Sequence, residues 1–155
     1  NEYLEFVSHQ KFEKTELVNI NKIIENIVKK YNGNEIKLNL EENIKINIRP
    51  NAINRCLINL INNGLTYGNK LEIFTKKTSN NVIILIDDDG PGIHESEYQN
   101  VLKPFYRIDK SRGQNKLGVG LGLSISNDIM RSHGGNISLD KSLLNGLRVK
   151  LSLPF

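Results

Sequence analysis

Residues 81–93, NVIILIDDDGPGI, constrain this chain more than any other stretch. Val82-Ile83-Ile84-Leu85-Ile86 is a β-branched apolar run, the pattern of a strand buried on both faces. It breaks at once into Asp87, Asp88 and Asp89, and then into Gly90-Pro91-Gly92. A buried strand that delivers three carboxylates at its end is costly unless they meet water, a cation or hydrogen-bond donors. Gly90 and Gly92 allow a sharp turn and a close approach of backbone to a ligand, and Pro91 stiffens the turn. Asp and Gly are also ordinary turn residues. On its own, the stretch leaves a plain strand-to-turn open beside a ligand loop.

The surroundings must bury that strand, and composition allows it. In 155 residues, 38% are hydrophobic and 25% charged, which suits one globular domain with a real core. The single Cys56 excludes an internal disulfide framework and fits a reducing compartment. No apolar run approaches the ~18 residues of a transmembrane helix, and no signal peptide is expected at the start. The net charge of +4 comes from Lys and Arg spread along the chain. Without a dense basic run or a base-stacking aromatic motif, that charge reads as a solvated surface and not a nucleic-acid site.

Residues 1–12 carry Tyr3, Leu4 and Val7 at helical spacing and read as the tail of a longer helix; His9 reads as exposed. From Leu17, Ile20, Ile23, Ile24, Ile27, Val28 and Tyr31 follow helical periodicity, capped by Asn19 or Asn21 and ended by Asn32-Gly33. Ile36-Leu38-Leu40 and Ile44-Ile46-Ile48 alternate as strands. Pro50 opens a long helix with a core stripe through Ile53, Cys56, Leu57, Leu60, Ile61, Gly64 and Leu65. Beside it, Asn59, Asn63, Thr66 and Tyr67 share a second, polar face. Such a stripe suits a helix lining a polar ligand, or drift in an Asn-rich chain. A strand from Leu71 turns at Thr78-Ser79-Asn80 into the opening strand as a hairpin. Glu95–Leu102 reads as a short helix stopped by Lys103-Pro104. Residues 109–119, DKSRGQNKLGV, are polar, basic and Gly-containing, which reads as a mobile loop. A helix with Leu121, Ile125 and Ile129 follows, ended by Gly134-Gly135, and two strands turn at Asn145-Gly146. His94 and His133 read as surface or capping residues.

Gly118, Gly120 and Gly122 immediately before a helix form an anion site, since free N–H groups and the helix dipole point there. The spacing is not the dinucleotide G-x-G-x-x-G. Gly113 and Gly118 have a Walker gap, but Val119 stands where Lys is required. The remaining order is distinctive: an Asn-striped helix, a strand ending in D-x-G-x-G, a Pro-Phe segment, a basic loop and G-x-G-x-G.

That order resembles sensor histidine kinases, of the osmosensor type. LINLINNGLTYGN (57–69) is similar to their N box, DDDGPGI (87–93) to the G1 box, KPFYRID (103–109) to the F box and GVGLGLSI (118–125) to the G2 box. HGGNISL and VKLSLPF match the end of the family's catalytic ATP-binding domain. The likeness covers residues 17–155, and residues 1–16 resemble the end of a dimerisation helix and its linker. The resemblance implies an α+β fold, a two-layer α/β sandwich (the Bergerat fold shared with gyrase and MutL ATPases). Three helices would cover one face of a mixed five-stranded sheet.

It also implies roles. Asp89 would accept a hydrogen bond from the adenine exocyclic amine, where the guanine carbonyl would be repelled. Gly92, with Ile93, would let the backbone approach the base, and Tyr67 would lie along it. Asn63 would hold Mg²⁺ with Asn59 beside it, the two being the catalytic pair. Phe105 would brace the lid, whose Lys110, Arg112 and Lys116 reach the phosphates, with Arg107 also among the nucleotide-binding residues. Gly118, Gly120 and Gly122, with Leu121 and Leu123, would surround the β- and γ-phosphates. Thr66 departs from the family, which has Lys, Arg or His at this phosphate-facing position. Gly64 and Leu65 are milder departures.

The implied function is the catalytic domain of a two-component protein-histidine kinase, using ATP and Mg²⁺. It would deliver the γ-phosphoryl to a histidine on a dimerisation domain of the same parent protein, with a response regulator as indirect partner. No His here has an acceptor-motif context. The domain would be cytoplasmic, without membrane insertion of its own, in an inner-membrane-anchored parent. The alternatives are another ATPase or protein serine kinase of this fold, which would show an acidic base before Asn59, and a nucleotide-sensing module without transfer activity.

Overall fold

The computed structural model describes residues 13–106 and 122–155. The elements run β1 (Glu16–Asn19), α1 (Ile20–Val28), β2 (Glu35–Leu40), β3 (Lys45–Ile48), α2 (Pro50–Tyr67), β4 (Lys70–Lys77) and β5 (Asn81–Asp88). After 3₁₀ turns at Glu95–Glu97 and Asn100–Leu102 come α3 (Gly122–Ser132), β6 (Asn136–Lys141) and β7 (Leu147–Pro154). Five strands form one sheet in the order β2-β4-β5-β7-β6. β2 and β4 are parallel and every other neighbour is antiparallel. Among the described residues this is the expected mixed five-stranded sheet with three α-helices.

Side-chain alternation explains the layering. Val82, Ile84 and Ile86 of β5 are buried and stand opposite Leu153, Leu151 and Val149 of β7. Ile20, Ile24 and Ile27 of α1, Ile53, Leu57, Leu60 and Ile61 of α2, and Ile125 and Ile129 of α3 complete that core. Each fully enclosed Ile or Leu contributes ~1.5–3 kcal/mol by leaving water. One polar knot crosses the layers. Thr75 Oγ1 donates to Asn21 Oδ1 at 2.9 Å, and Asn21 Nδ2 donates to the Glu41 carbonyl at 2.6 Å.

Three expectations need correction. β5 is not buried on both faces: Ile83 and Leu85 are only partly covered, because the described helices lie on one side of the sheet. Leu17 does not begin a helix but sits in β1, 63% exposed. β1 pairs antiparallel with β3, and Asn19 then caps α1 by accepting from Asn21 N at 3.0 Å. Glu95–Leu102 forms two 3₁₀ turns, since only Val101 in it is buried and no apolar stripe can dock a longer helix. The helical tail expected in residues 1–12 and the loop expected at 109–119 lie outside the described residues. No helix among the described residues is long and apolar enough to cross a membrane.

Candidate functional site between helix α2 and the end of strand β5

Consecutive residues on a strand point to opposite faces, so the three carboxylates part company. Asp87 points to the outer face, where Arg148 of β7 grips it with Nε at 2.7 Å from Oδ1 and Nη2 at 2.8 Å from Oδ2. Leu143 N also donates to it, at 3.2 Å. A side chain so fully engaged is structural.

Asp88 points to the helix side. Its Oδ1 accepts from Gly90 N at 2.9 Å and Leu147 N at 3.0 Å, and its carbonyl accepts from the Ser142 hydroxyl at 2.7 Å. Its Oδ2 has no partner among the described residues and is not sealed from solvent. It faces α2 beside Gly64, whose Cβ position lies 3.8 Å away. Burial raises the Asp88 carboxyl above its ordinary value. The amides of Leu147 and Gly90 pull the other way, and the charges of Asp89 and Asp87 raise it further. A pre-set acceptor with one open oxygen is what a ligand N–H would meet.

Asp89 has turned away. Its Oδ1 accepts from Asn69 N at 2.6 Å and Lys70 N at 2.8 Å, clamping the exit of α2 to the loop after β5. The Lys70 amide, then the Asn69 amide, hold its carboxyl below the ordinary value. The turn is tight. A Cβ on Gly68 would stand 2.6 Å from Asp89 Oδ1, and one on Gly146 would stand 2.2 Å from Asp88 Oδ1.

The α2 stripe emerges from the same crossing. Asn59 is partly buried, and its Nδ2 is a buried donor with no partner among the described residues. Leaving such a group unpaired costs ~1–3 kcal/mol, so it marks a place for an acceptor supplied from outside. Asn63 is partly exposed one turn on, and Tyr67 is 46% exposed at the helix end. Thr66 donates its hydroxyl to the Asn62 carbonyl at 2.7 Å, back into its own helix. Gly92, in a left-handed conformation with φ 73°, and Ile93 line a cleft of about 470 Å³ shared with His94, Lys141 and Asn145. Phe105 is 63% exposed and also left-handed, at φ 64°. A bulky side chain there stores ~1–3 kcal/mol of strain, which accumulates at working sites. Gly122 opens α3 in open space, and Leu123 packs against the core. Arg107, Lys110, Arg112, Lys116, Gly118, Gly120 and Leu121 lie outside the described residues.

Sequence reasoning put the weight on Asp89 and did not single out Asp88 or the groups that hold it. The D-x-G-x-G spacing itself starts at Asp88, and that was the available signal. Ser142, Gly146 and the Leu147 amide reach Asp88 from more than 50 residues away, and only the fold brings them there.

The donor set also bears on a metal. No group of three or more His, Cys, Asp or Glu among the described residues could cage one. An Asn oxygen with ligand phosphates is the sparse set that Mg²⁺ accepts.

Fold and site together define a ligand-binding α/β sandwich whose polar wall runs between one helix and the end of one strand. The chain belongs to the histidine kinase-, DNA gyrase B- and HSP90-like ATPase family, whose model matches residues 48–155. It is 40% identical over 106 residues to the sensor histidine kinase GtrS of Pseudomonas aeruginosa. That match covers 68% of this chain and 22% of that one, so the chain spans less than a quarter of this relative's length. Among solved structures it is similar to the ATP-binding domain of PrrB from Mycobacterium tuberculosis. There the identity is 25% and the TM-score 0.76, covering 92% of this chain and 98% of that one. It is also similar to the histidine kinase domain of the Escherichia coli osmosensor EnvZ, with 28% identity, TM-score 0.69 and coverage of 91% and 89%.

Proposed function

We propose that this chain is the ATP-binding catalytic domain of a two-component sensor histidine kinase, with Asp88 rather than Asp89 as the acceptor for the adenine amine. The observation that carries this reading is the open Asp88 Oδ2 beside α2, the helix on which Asn59 keeps a buried donor with no partner among the described residues. One group reads a base and the other awaits an anion, and a nucleotide has both. Asp89, already engaged by two backbone amides, holds the turn between the two walls.

Asn63 would hold Mg²⁺ through its side-chain oxygen, and the ion would neutralise charge on the β- and γ-phosphates. Tyr67 covers the base, and Phe105 braces the segment between the F and G2 boxes. The γ-phosphoryl passes to a histidine on a separate dimerisation domain, and catalysis is mainly positioning and charge stabilisation. A response regulator receives the group afterwards. The parent protein is anchored in the inner membrane with this domain on the cytoplasmic side.

One observation favours a second reading, a nucleotide-sensing module. Thr66 brings no charge to the phosphates and turns its hydroxyl to Asn62. Labelled ATP separates the two. With a dimerisation domain from a related kinase, acid-labile, base-stable label is expected on the added histidine, and none on this chain alone. Tight ATP binding without any transfer would select the sensing module.

A further inference from the structure

The first-turn amides of a helix have no partner within it. In α2 the N-cap Arg49 provides no side-chain bond, and no acidic residue stands in the first turn. Pro50 has no N–H to satisfy. Asn51 N donates to Glu13 Oε2 at 2.7 Å and Ala52 N donates to Glu13 Oε1 at 3.0 Å. Ile53 N reaches the Arg49 carbonyl at 3.1 Å. Both carboxylate oxygens of a residue 38 positions before Asn51 therefore complete this helix. A carboxylate also meets the positive end of the helix dipole there.

The same cluster reaches α3. Arg49 N donates to His133 Nε2 at 3.1 Å, and the Arg49 guanidinium donates to Ser132 Oγ. His133 Nδ1 lies 2.8 Å from the Ile129 carbonyl and donates to it. So the helix carrying Asn59 and Asn63, and the helix entered from the G2 box, end on one polar cluster beside Glu13. Arg49 Nε in it is buried and unpaired among the described residues, so the cluster already has more donors than acceptors there. Three residues after Glu13 the chain enters β1, which β3 holds in register.

We propose that Glu13 is a positioning residue for the nucleotide site, coupling the chain ahead of β1 to the order of α2. The inference rests on the ATP-binding reading. A pull on the chain before β1 uncaps α2. A nucleotide that fixes α2 tightens the hold on Glu13 by the same factor, since coupling between sites is reciprocal.

The test compares the 155-residue chain with its Glu13→Ala and Glu13→Gln variants, using calorimetry with a non-hydrolysable ATP analogue and amide hydrogen exchange. In the unsubstituted chain the analogue should slow exchange at Asn51, Ala52 and across β1. Glu13→Ala should speed exchange at Asn51 and Ala52 about fivefold or more, as loss of a helix cap does. It should weaken the analogue about fivefold, the lower end for coupled sites, and abolish the response of β1 to nucleotide. Glu13→Gln, which keeps one acceptor oxygen, should fall between. A purely structural cap would leave the β1 response intact. If the unsubstituted chain binds nucleotide, and Glu13→Ala binds it equally well with β1 still responding, the coupling is overturned alone. A chain that binds no nucleotide overturns the proposed function and the coupling together.

Discussion

Among single residues, Asp88 sets function against stability. Its carboxyl titrates above the ordinary aspartate value because burial disfavours the charge. The folded protein thus takes up this proton more readily than the unfolded chain does. The ionised form costs stability at neutral pH, and the cost disappears as pH falls through the folded value. Ligand binding runs the other way, since the acceptor is lost on protonation. Nucleotide affinity should therefore weaken on acidification at a pH above about 3.9, where an unperturbed aspartate would protonate. Asp88→Asn keeps an oxygen for Gly90 and Leu147 but presents a donor to the base. A hydrogen bond to a charged acceptor contributes ~1.5–3 kcal/mol, so the analogue should bind roughly 10- to 150-fold more weakly. The melting temperature should stay level or rise. Asp89→Asn, which preserves the acceptor for Asn69 and Lys70, should change affinity far less. Calorimetry on both variants checks the assignment, and equal losses would undo it.

Elements meet at close quarters where α2, the loop after β5 and the β6–β7 turn converge. A Cβ on Gly146 would fall 2.2 Å from Asp88 Oδ1 and 2.4 Å from its carbonyl oxygen, atoms that cannot retreat. Gly146→Ala should cost about 1–3 kcal/mol and lower the melting temperature by roughly 2–4 °C for each. Gly64→Ala is the contrast. Its closest obstacle is the flexible end of Leu71, 2.6 Å away, while alanine favours the helix by up to ~1 kcal/mol. Thermal melts should show it neutral or stabilising. At the other end of α2, burial lowers the pKa of His133. The Ile129 carbonyl raises it, the Arg49 charge lowers it and Glu13 raises it. The unfolded chain accepts that proton first, so stability should fall as pH drops below about 6.5 and level off below the folded value. His133→Gln should flatten the slope in melts between pH 5 and 7.5. These elements show what the sequence could reveal. Among the described residues, periodicity located α1, α2 and six of the seven strands, and helical spacing placed Asn59, Asn63, Thr66 and Tyr67 on α2. β1 was invisible because four residues pair with a strand 29 positions away and leave Leu17 in water. The proposed shift from Asp89 to Asp88 rests on the fold: the D-x-G-x-G spacing starts at Asp88, but only the structure shows that Asp89 is spent on the Asn69 and Lys70 amides.

Across the whole molecule, the route from Glu13 through α2 to Asn59 passes Cys56, the only thiol in the chain. Cys56 is fully enclosed between α2 and α3, with Ser126 Oγ 3.5 Å from its carbonyl oxygen, and burial pushes the thiol up to about 12. Only a thiolate attacks an alkylating reagent, so this sulfur is silent both by access and by protonation. It therefore acts as a clock wound by the fold itself. Each alkylation at pH 8 records one opening of the two-helix layer, at the residue one turn before Asn59, whose Nδ2 lacks a partner among the described residues. Labelling should be orders of magnitude slower than in the denatured chain, and slower again with bound nucleotide, by the opening equilibrium of that layer. Mass spectrometry of the alkylated protein against time reads this rate directly. Labelling as fast as in the denatured chain would show that α2 and α3 do not stay packed in solution.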